Sequence, residues 1–596
     1  MCYILPVQTL GKHKEFFIVT ISPLLKRLLR FGVLLLLTLV VGCAQNQVAR
    51  QGSLPQPEVS YDSRLDDADA KAFYAYGRYR LLGGEGRWAE AVATLERAAA
   101  LDPSSDYLQL VLAKAYLHLQ NPEKAAEQLS RVLERSPENG EALELAGELN
   151  LHFQEYAEAE EHFARALELS PDSERLTLRL ASTLSRMERR DDAIDLLLSL
   201  LKEIPEANAA RLMLARLYLG KDDQEQAVAA YRQILEYEPG QQQAILGYGQ
   251  LLENDDPVAA RELYANALEA NPFALGVQQQ YGELLLGLGE TEAALEQFQQ
   301  LRRHFPGSAQ ILSRIALIQL ELEHWEEAEA DFRLLLKSPG HQDSQRYYLA
   351  MALAGQEKYA AAVAVLQQVD KDSPLYAEAV LQQAYLLDRV EQTDAAIDVL
   401  RQALDEGVGQ EEIYFYLSAF LADRSRYAEA LEVTRSGLEN YPGDISLLYQ
   451  HGIFQENLGQ SEQAVATMEM VLELNAEHPD ALNFLAYSQA EAGENLELAL
   501  ERVQRALEIK QSGYIIDTLG WVLYKLGRYA ESRIEMEKAA EIFPHDPVIN
   551  EHLGDIYRAL ELWSEAAQAY RRAIELDPQA IGVREKLEAL PQGQIQ

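Results

Sequence analysis

The chain has 596 residues and a formal net charge of −41, with 94 acidic side chains against 53 Lys and Arg. Nucleic acids and anionic lipid surfaces are bound through clustered basic residues, so this excess of acid argues against both as ligands of the main body. Acidic outer helix faces that keep a long protein soluble explain the charge better than an acidic site for a basic partner.

The first predicted element is an amino-terminal targeting segment. Basic residues between positions 26 and 30 precede an eleven-residue apolar core, Phe31 to Val41, and Gly42-Cys43 follow it. This core is shorter than the about 20 residues that cross a bilayer comfortably. A basic flank, an apolar core and a small residue in this order are typical of a secretory signal peptide.

The end of this segment, Leu39 to Cys43, resembles a bacterial lipobox. The resemblance implies that residues 1–42 are a lipoprotein signal peptide and that Cys43 is acylated and becomes the first mature residue. Several acyl chains would hold the protein stably on a membrane. In Gram-negative lipoproteins an aspartate after the cysteine usually means inner-membrane retention, so Ala44 implies the outer membrane, facing the periplasm. The alternative is a short membrane anchor with an incidental cysteine.

The next segment has few apolar residues and no period, so we predict that residues 43–66 are the lipidated cysteine and a flexible tether. Cys2 and Cys43 are the two cysteines of the chain. If cleavage removes Cys2 and Cys43 is acylated, no internal disulfide can form.

The main body is built on a repeat of 34 residues. An alanine recurs at this spacing from Ala91 to Ala227, and a proline follows each by twelve residues, as Pro103 follows Ala91. Between Trp88 and Pro103 the apolar residues recur at steps of three and four, which predicts one buried face of a helix that the proline ends. A second periodic helix precedes it. A fixed period of this length predicts a stack of helix pairs rather than a globular enzyme.

The repeated residues resemble the tetratricopeptide repeat (TPR) family, whose pattern combines Leu-Gly, an aromatic, Ala and Pro at fixed offsets. The closest matches run from Leu519-Gly520-Trp521 to Pro544 and from Gly554 to Pro578. The resemblance implies an all-α, right-handed superhelical solenoid of about fifteen helix-turn-helix repeats over residues 67–579. A capping helix and tail would follow at 580–596.

No Gly-rich phosphate loop, His-Glu-x-x-His, CxxC or Gly-x-Ser-x-Gly motif occurs in the sequence. His152 and His162 fall in one repeat, but their spacing does not place them on one helix face, so we expect no metal site and no cofactor. Because packing or solvation accounts for every residue of the repeats, we expect no catalytic residues and no enzyme activity.

In TPR proteins the first helix of each repeat lines a concave groove, and its fifth and ninth positions face the ligand. Counting from each repeat alanine gives mostly polar residues in the early repeats and apolar or aromatic residues in repeats nine to fourteen. Such anchors are typical of interfaces, so we predict that this stretch binds an extended segment or a helix of a partner protein. The alternative is that neighbouring helices cover the rings. The predicted groove residues are Tyr347, Met351, Leu381, Tyr385, Phe415, Tyr449, Ile453, Tyr487, Trp521 and Tyr524.

The sequence therefore predicts a non-enzymatic scaffold for protein–protein interaction, with a periplasmic solenoid anchored to the outer membrane by its lipid alone. By analogy with proteins of this fold and cellular location, the expected process is cell-envelope biogenesis, exopolysaccharide export or pilus assembly. The alternative is a periplasmic holdase-like chaperone that binds unfolded clients in the apolar groove.

Overall fold

The structure is a computed structural model that describes residues 67–337, 340 and 342–591. The predicted signal peptide, Cys43, the tether and residues 592–596 lie outside the described residues. Within the described ranges the chain forms 31 α-helices and no strand, so the predicted all-α fold is confirmed. The chain divides into two compact units, one ending at Leu322 and one beginning at Glu323.

The described part of the amino-terminal unit consists of seven helix pairs and one further helix. Its helices are α1 (Ala68–Gly84), α2 (Trp88–Leu101), α3 (Asp106–His118), α4 (Pro122–Arg135), α5 (Gly140–His152), α6 (Tyr156–Leu169), α7 (Glu174–Arg186), α8 (Arg190–Glu203), α9 (Asn208–Gly220), α10 (Gln224–Tyr237), α11 (Gln242–Asp255), α12 (Pro257–Ala270), α13 (Leu275–Gly287), α14 (Thr291–His304) and α15 (Ala309–Glu321).

The described part of the carboxy-terminal unit begins with one helix, continues with seven pairs and ends with a short helix. Its helices are α16 (Trp325–Leu335), α17 (Gln342–Gly355), α18 (Tyr359–Leu366), α19 (Tyr376–Arg389), α20 (Thr393–Asp405), α21 (Glu411–Asp423), α22 (Tyr427–Asn440), α23 (Ile445–Asn457), α24 (Ser461–Leu474), α25 (Pro479–Ala492), α26 (Leu496–Ile509), α27 (Gly513–Lys525), α28 (Tyr529–Ile542), α29 (Pro547–Ala559), α30 (Trp563–Leu576) and α31 (Ile581–Glu588).

The ends of the helices follow the 34-residue period. Ser105, Asn139 and Ser173 each accept a hydrogen bond from a backbone N–H three residues later and so cap a first helix. Between the two helices of a pair, a residue in the left-handed region reverses the chain, for example Gln120 with a φ of 56° and Gln154 with a φ of 64°. Because these turns are short, the two helices of each pair run antiparallel.

The repeated alanines form the centre of each unit's core. Fourteen alanines of the 34-residue series and Ser532, which takes the place of the alanine in repeat fourteen, have no exposed surface. The fourteen alanines are Ala91, Ala125, Ala159, Ala193, Ala227, Ala260, Ala294, Ala328, Ala362, Ala396, Ala430, Ala464, Ala499 and Ala566. The Ser532 hydroxyl donates to the Gly520 carbonyl oxygen at 2.6 Å, which satisfies the one polar group that this replacement buries. The repeated alanines therefore lie on the buried helix face that the period predicts.

In most repeats, the first helix has a small residue eleven to thirteen positions before the repeated alanine, and we call it the small core residue. The second helix has a larger residue four positions after that alanine. In several repeats these two residues are matched in size. Where the large residue is Phe163, the small one is Gly147, and a Cβ added to Gly147 would lie 2.7 Å from the ring. The neighbouring repeats instead combine alanine with leucine, as Ala113 with Leu129. Glycine also faces Phe298 and Tyr570 at Gly282 and Gly554. The rule is not universal, since the register pairs Ala215 with Tyr231.

Candidate protein-binding groove

The first helices of the carboxy-terminal unit lie side by side. Helix α21 contacts both α19 and α23, and α27 contacts both α25 and α29. In each first helix, one side chain lies three residues before the small core residue and another lies one residue after it. These two residues are four apart, so they lie on the same face of the helix. We call the face formed by these residues the groove face. Its members, taken from α17 to α29, are Tyr347, Met351, Leu381, Tyr385, Phe415, Ala419, Tyr449, Ile453, Asn483, Tyr487, Asp517, Trp521, Glu551 and Asp555.

The ten predicted groove residues differ in how far the structure covers them. Tyr347, Leu381 and Trp521 are buried, with 8%, 9% and 7% of their surface exposed. The other seven are partly exposed, namely Met351, Tyr385, Phe415, Tyr449, Ile453, Tyr487 and Tyr524. The three buried side chains therefore act as packing residues in this structure, whereas the seven others keep surface that a ligand can reach.

The middle of the groove face, on α19 to α23, is apolar and uncharged. A buried polar bridge joins α21 to α23, because the Ser418 hydroxyl donates to Gln450 Oε1 at 2.8 Å and Gln450 Nε2 donates to the Phe415 carbonyl oxygen at 3.4 Å. This bridge fixes the spacing between the part-exposed side chains of Phe415 and Ile453. The Tyr449 ring lies 5.2 Å from the His478 ring.

Protonation states keep this middle part neutral. Burial raises the pKa of the Tyr449 phenol above its usual range, and burial together with the nearby Glu412 raises the pKa of Tyr416 to about 12. Burial lowers the pKa of His478. At neutral pH these three side chains are therefore uncharged, which suits contact with an apolar segment.

Farther along, Trp521 forms the centre of a closed cluster with groups from three first helices. Its ring stacks on His552 of α29 at 4.0 Å and on Tyr524 at 4.9 Å, and its Nε1 donates to Glu491 of α25 at 2.5 Å. We call Glu491, Asp517, Trp521, Tyr524 and His552 the Trp521 cluster. Because both the ring and the N–H of Trp521 already have partners, the cluster holds three repeats together.

Within the Trp521 cluster, His552 and Asp517 are a buried pair. His552 Nδ1 lies 3.0 Å from Asp517 Oδ1, and both residues are at most 9% exposed. Burial alone would lower the pKa of His552, but Asp517, Asp555 and Glu551 outweigh it, so the pKa is raised. A protonated His552 carries the positive charge that the buried Asp517 carboxylate needs.

The groove face becomes acidic at its end, and α31 supplies the matching charge. Lys586 of α31 donates to Glu551 at 2.7 Å and to Asp555 at 2.5 Å, while the Tyr570 hydroxyl donates to Asp555 at 2.6 Å. Asp555 is only 3% exposed. The sequence predictions did not include Asp517, Glu551, Asp555 or His552. The three acidic residues could have been found, because they occupy the groove-face positions of α27 and α29 when these are counted from the small core residue.

Across the described ranges, no three His, Cys, Asp or Glu side chains are grouped so that they could hold a metal ion. His162, which the sequence set apart from His152, has its Nδ1 3.0 Å from Asn150 Oδ1. Of the helices that the structure describes, none combines the length and the apolar character needed to cross a bilayer.

Two models of one repeat family match the described helix pairs. A tetratricopeptide repeat model matches residues 76–132, 110–174, 212–274, 282–345, 381–445 and 518–581. A second tetratricopeptide repeat model matches residues 151–217 and 251–312. Together these ranges cover more than half of the chain. The chain belongs to the tetratricopeptide repeat family. TPR repeats indicate a protein–protein interaction scaffold, and members of the family are typically non-catalytic.

One curated relative is the TPR repeat-containing protein PA4667 of Pseudomonas aeruginosa, which is 24% identical over 182 residues. The match spans 29% of this chain and 31% of the relative, so this TPR chain corresponds to less than a third of that protein.

Solved structures with a similar arrangement share low sequence identity with this TPR chain. The APC/C hetero-tetramer Cut9-Hcn1 is 14% identical, with 82% of this chain and 96% of that chain covered and a TM-score of 0.35. A tetratricopeptide repeat protein from Parabacteroides merdae is 16% identical, with 42% and 98% covered and a TM-score of 0.34. The thermophilic TPR protein TTC0263 of Thermus thermophilus is 20% identical, with 30% and 98% covered and a TM-score of 0.27.

Proposed function

We propose that this TPR protein is a lipid-anchored scaffold that captures one protein partner on the groove face of its carboxy-terminal unit. The observation that carries the proposal is the apolar, uncharged middle of that face, where Tyr385, Phe415 and Ile453 remain partly exposed on adjacent first helices. Apolar side chains set on a rigid helical surface are suited to anchor residues of a partner's helix or extended segment.

The polar bridge beneath these side chains supports the same proposal. Ser418 and Gln450 connect α21 to α23 under Phe415, so the two helices present their side chains at a fixed separation. A surface that is already ordered loses less entropy on binding than a flexible one, which favours a defined partner. A holdase-like chaperone needs an adaptable surface, so a single stoichiometric partner is the function that this geometry supports best.

The lipid anchor is proposed from the sequence around Cys43. The basic flank, the apolar core and the lipobox-like end at Gly42-Cys43 support acylation, and Ala44 supports the outer membrane. A periplasmic scaffold in envelope biogenesis, polysaccharide export or pilus assembly is consistent with this cellular location. Mass spectrometry of the mature amino-terminal peptide tests the anchor directly, because an unmodified or uncleaved Cys43 would contradict it.

Site-specific photo-cross-linking in intact cells tests the groove. A photoreactive phenylalanine analogue replaces Phe415 or Ile453 in the full chain, and the adducts are identified by mass spectrometry. We expect one dominant protein adduct from both positions, since both side chains lie on the same surface. Many unrelated unfolded proteins in place of one adduct would support the holdase function.

A matched control comes from the second helices, which carry exposed apolar residues away from the groove face. Met470 of α24 and Ile534 of α28 are 45% and 54% exposed. The analogue at these positions should give no dominant adduct. Equal cross-linking from groove and control positions would contradict the proposed docking surface.

A further inference from the structure

Acidic side chains border the apolar middle of the groove face on both sides. The first helices α19, α21 and α23 together carry six acidic residues but only one Lys or Arg. Three of the acidic residues lie in the first turns of these helices and three lie in the last turns, so the apolar groove residues lie between two acidic rows. The first row is Glu378, Glu411 and Glu412, and the second row is Asp388, Asp423 and Glu456.

The first acidic row is on the same side of the helices as the apolar groove residues. Glu412 is three residues before Phe415, and Glu378 is three residues before Leu381, a spacing that makes side chains neighbours on a helix surface. Burial and nearby groups that include Glu378 raise the pKa of the Tyr347 phenol. The Glu378 carboxylate therefore lies close to a groove residue of the preceding repeat.

Two carboxylates of this row differ from their counterparts in other repeats because the chain supplies no cation for them. Six residues before the small core residue, α5 carries Glu141 and α25 carries Asp480, and each of these pairs with a lysine. Glu378 and Glu412 occupy the same position in α19 and α21, and neither forms an ion pair with any residue that the structure describes. Oε2 of Glu378 is buried without a hydrogen-bond partner, so this carboxylate still needs a donor.

Negative charge accumulates at the amino end of α21. Acidic residues in a first turn are stabilised by the helix dipole and by themselves need no partner. Here, however, partial burial together with the carboxylates of Asp444 and Glu412 raises the pKa of Glu411, which shows that these groups repel one another. The one basic residue of the three helices, Arg389, lies over the Tyr359 ring of α18 at 6.0 Å. A cation from another molecule would relieve the repulsion.

We infer that the partner segment is an amphipathic helix whose apolar face is bordered on both sides by Lys or Arg, an inference that rests on the proposed function. Ten residues separate Glu378 from Asp388, which is about 15 Å along α19. A helix with its side chains is about 10–12 Å in diameter, so a helix laid across α19, α21 and α23 fits between the two acidic rows. Its apolar face meets Phe415 and Ile453, and its basic side chains reach the rows on either side.

Charge reversal in the full chain tests this inference, with the photoreactive analogue at position 415 as the probe in intact cells. Glu378→Lys combined with Glu412→Lys should reduce the dominant adduct at least about five-fold, because two attractive contacts become repulsive. Glu378→Gln combined with Glu412→Gln removes the charges without reversing them and should reduce the adduct less. Circular dichroism of each purified variant reports whether the helices remain formed.

The matched control is Glu462→Lys combined with Glu497→Lys. Glu462 and Glu497 also lie in first turns, but on the second helices α24 and α26. The change in net charge and the effect on the helix dipole are therefore the same as in the groove variant. Both residues are exposed and form no ion pair within the described part of the chain. This variant should give as much adduct as the parent.

The adduct also identifies the bound segment, so its chemistry can be read directly. Mass spectrometry of the cross-linked peptide should show Lys or Arg on both sides of the apolar residues that meet position 415. Changing those basic residues of the partner to Glu should weaken capture by the parent chain. The same change should restore capture by the chain that carries Glu378→Lys and Glu412→Lys, because the two charges are then exchanged.

Failure of this inference is distinguishable from failure of the proposed function. A dominant adduct that survives the charge reversal, that falls equally in the control, or whose segment lacks Lys and Arg would overturn the basic helix and leave the docking surface in place. If neither position 415 nor position 453 gives a dominant adduct in the parent chain, the proposed function is contradicted and the basic helix with it.

Discussion

The size match between Gly147 and Phe163 leads to a double-mutant prediction. A Cβ added at Gly147 would lie 2.7 to 2.9 Å from three atoms of the Phe163 ring, which has no exposed surface. The repeats on either side use Ala113 with Leu129 and Ala181 with Leu197 at the same two positions. Changing Gly147→Ala together with Phe163→Leu therefore gives repeat three the combination that both neighbours already use.

The magnitudes follow from two opposing effects of the added methyl group. Overpacking a core costs about 1–3 kcal/mol, whereas alanine improves on glycine within a helix by about 1 kcal/mol. Gly147→Ala alone should then lower the local opening free energy by about 1 kcal/mol. Phe163→Leu alone leaves a cavity and should cost about 1–2 kcal/mol. Because leucine frees the space that the methyl group needs, the double variant should lie within about 1 kcal/mol of the parent, a coupling of about 2 kcal/mol.

Native-state hydrogen exchange of the amides in α5 and α6 is the appropriate measurement, since a repeat array opens locally rather than in one global step. Gly77→Ala is the control for helix propensity, because an added Cβ there meets no neighbour. It should raise protection in α1 by about 0.5–1 kcal/mol. If the effects of Gly147→Ala and Phe163→Leu simply add in the double variant, the size-matching argument is wrong.

Three further predictions concern the carboxy-terminal unit. The raised pKa of His552 means that its contribution to stability is complete below about pH 6.5 and is lost as the pH rises through the folded-state pKa. The protection factors of amides in α27 and α29, which are corrected for the intrinsic rise of exchange with pH, should therefore fall at higher pH in the parent, and His552→Gln should remove this dependence. Protection factors that change with pH equally in both proteins would contradict the pairing with Asp517. Trp521→Ala should destabilise the region by about 3–5 kcal/mol, whereas Phe415→Ala should cost less than about 1 kcal/mol. Native-state hydrogen exchange in α27 and in α21 compares the two local losses, and equal losses would refute the different roles assigned to Trp521 and Phe415. Ser532→Ala should change stability by less than about 1 kcal/mol, because the other repeats have alanine at this position. The hydroxyl that is removed is a donor, and the Gly520 carbonyl oxygen that accepts from it belongs to a helix backbone. A loss above about 2 kcal/mol in hydrogen exchange would contradict this.

The fold was readable from the sequence because one local rule repeats. The helix predicted between Trp88 and Pro103 is observed as Trp88–Leu101, and each alanine that the period selects is fully buried. Turn chemistry was the weaker signal. A left-handed residue connects the two helices of a pair, yet Gln120, Gln154 and Glu188 occupy that position where glycine would be favoured. The period, rather than the residue type, identified these turns.

Burial on the groove face was not readable in the same way. Counting along a helix gives the direction in which a side chain leaves the backbone, and this direction is the same for Phe415 and for Asp517 or Tyr449 in other repeats. It does not give what the following repeats place over that side chain. His552 comes from the next repeat and covers Trp521, and it also lies 6.5 Å from Tyr487, two repeats earlier. Coverage depends on how closely successive first helices approach, which a single repeat does not encode.

These differences divide the groove face into two parts with separate roles. In the Trp521 cluster, the indole N–H donates to Glu491, the indole ring stacks on His552, and the buried Asp517 pairs with His552. A ligand there would have to displace these contacts. On α19 to α23 the side chains of Tyr385, Phe415 and Ile453 keep exposed apolar surface above a polar bridge that holds α21 and α23 together. The docking surface that we propose is therefore the part on α19 to α23. The Trp521 cluster, with Lys586 and Asp555 beyond it, therefore marks the end of the proposed docking surface.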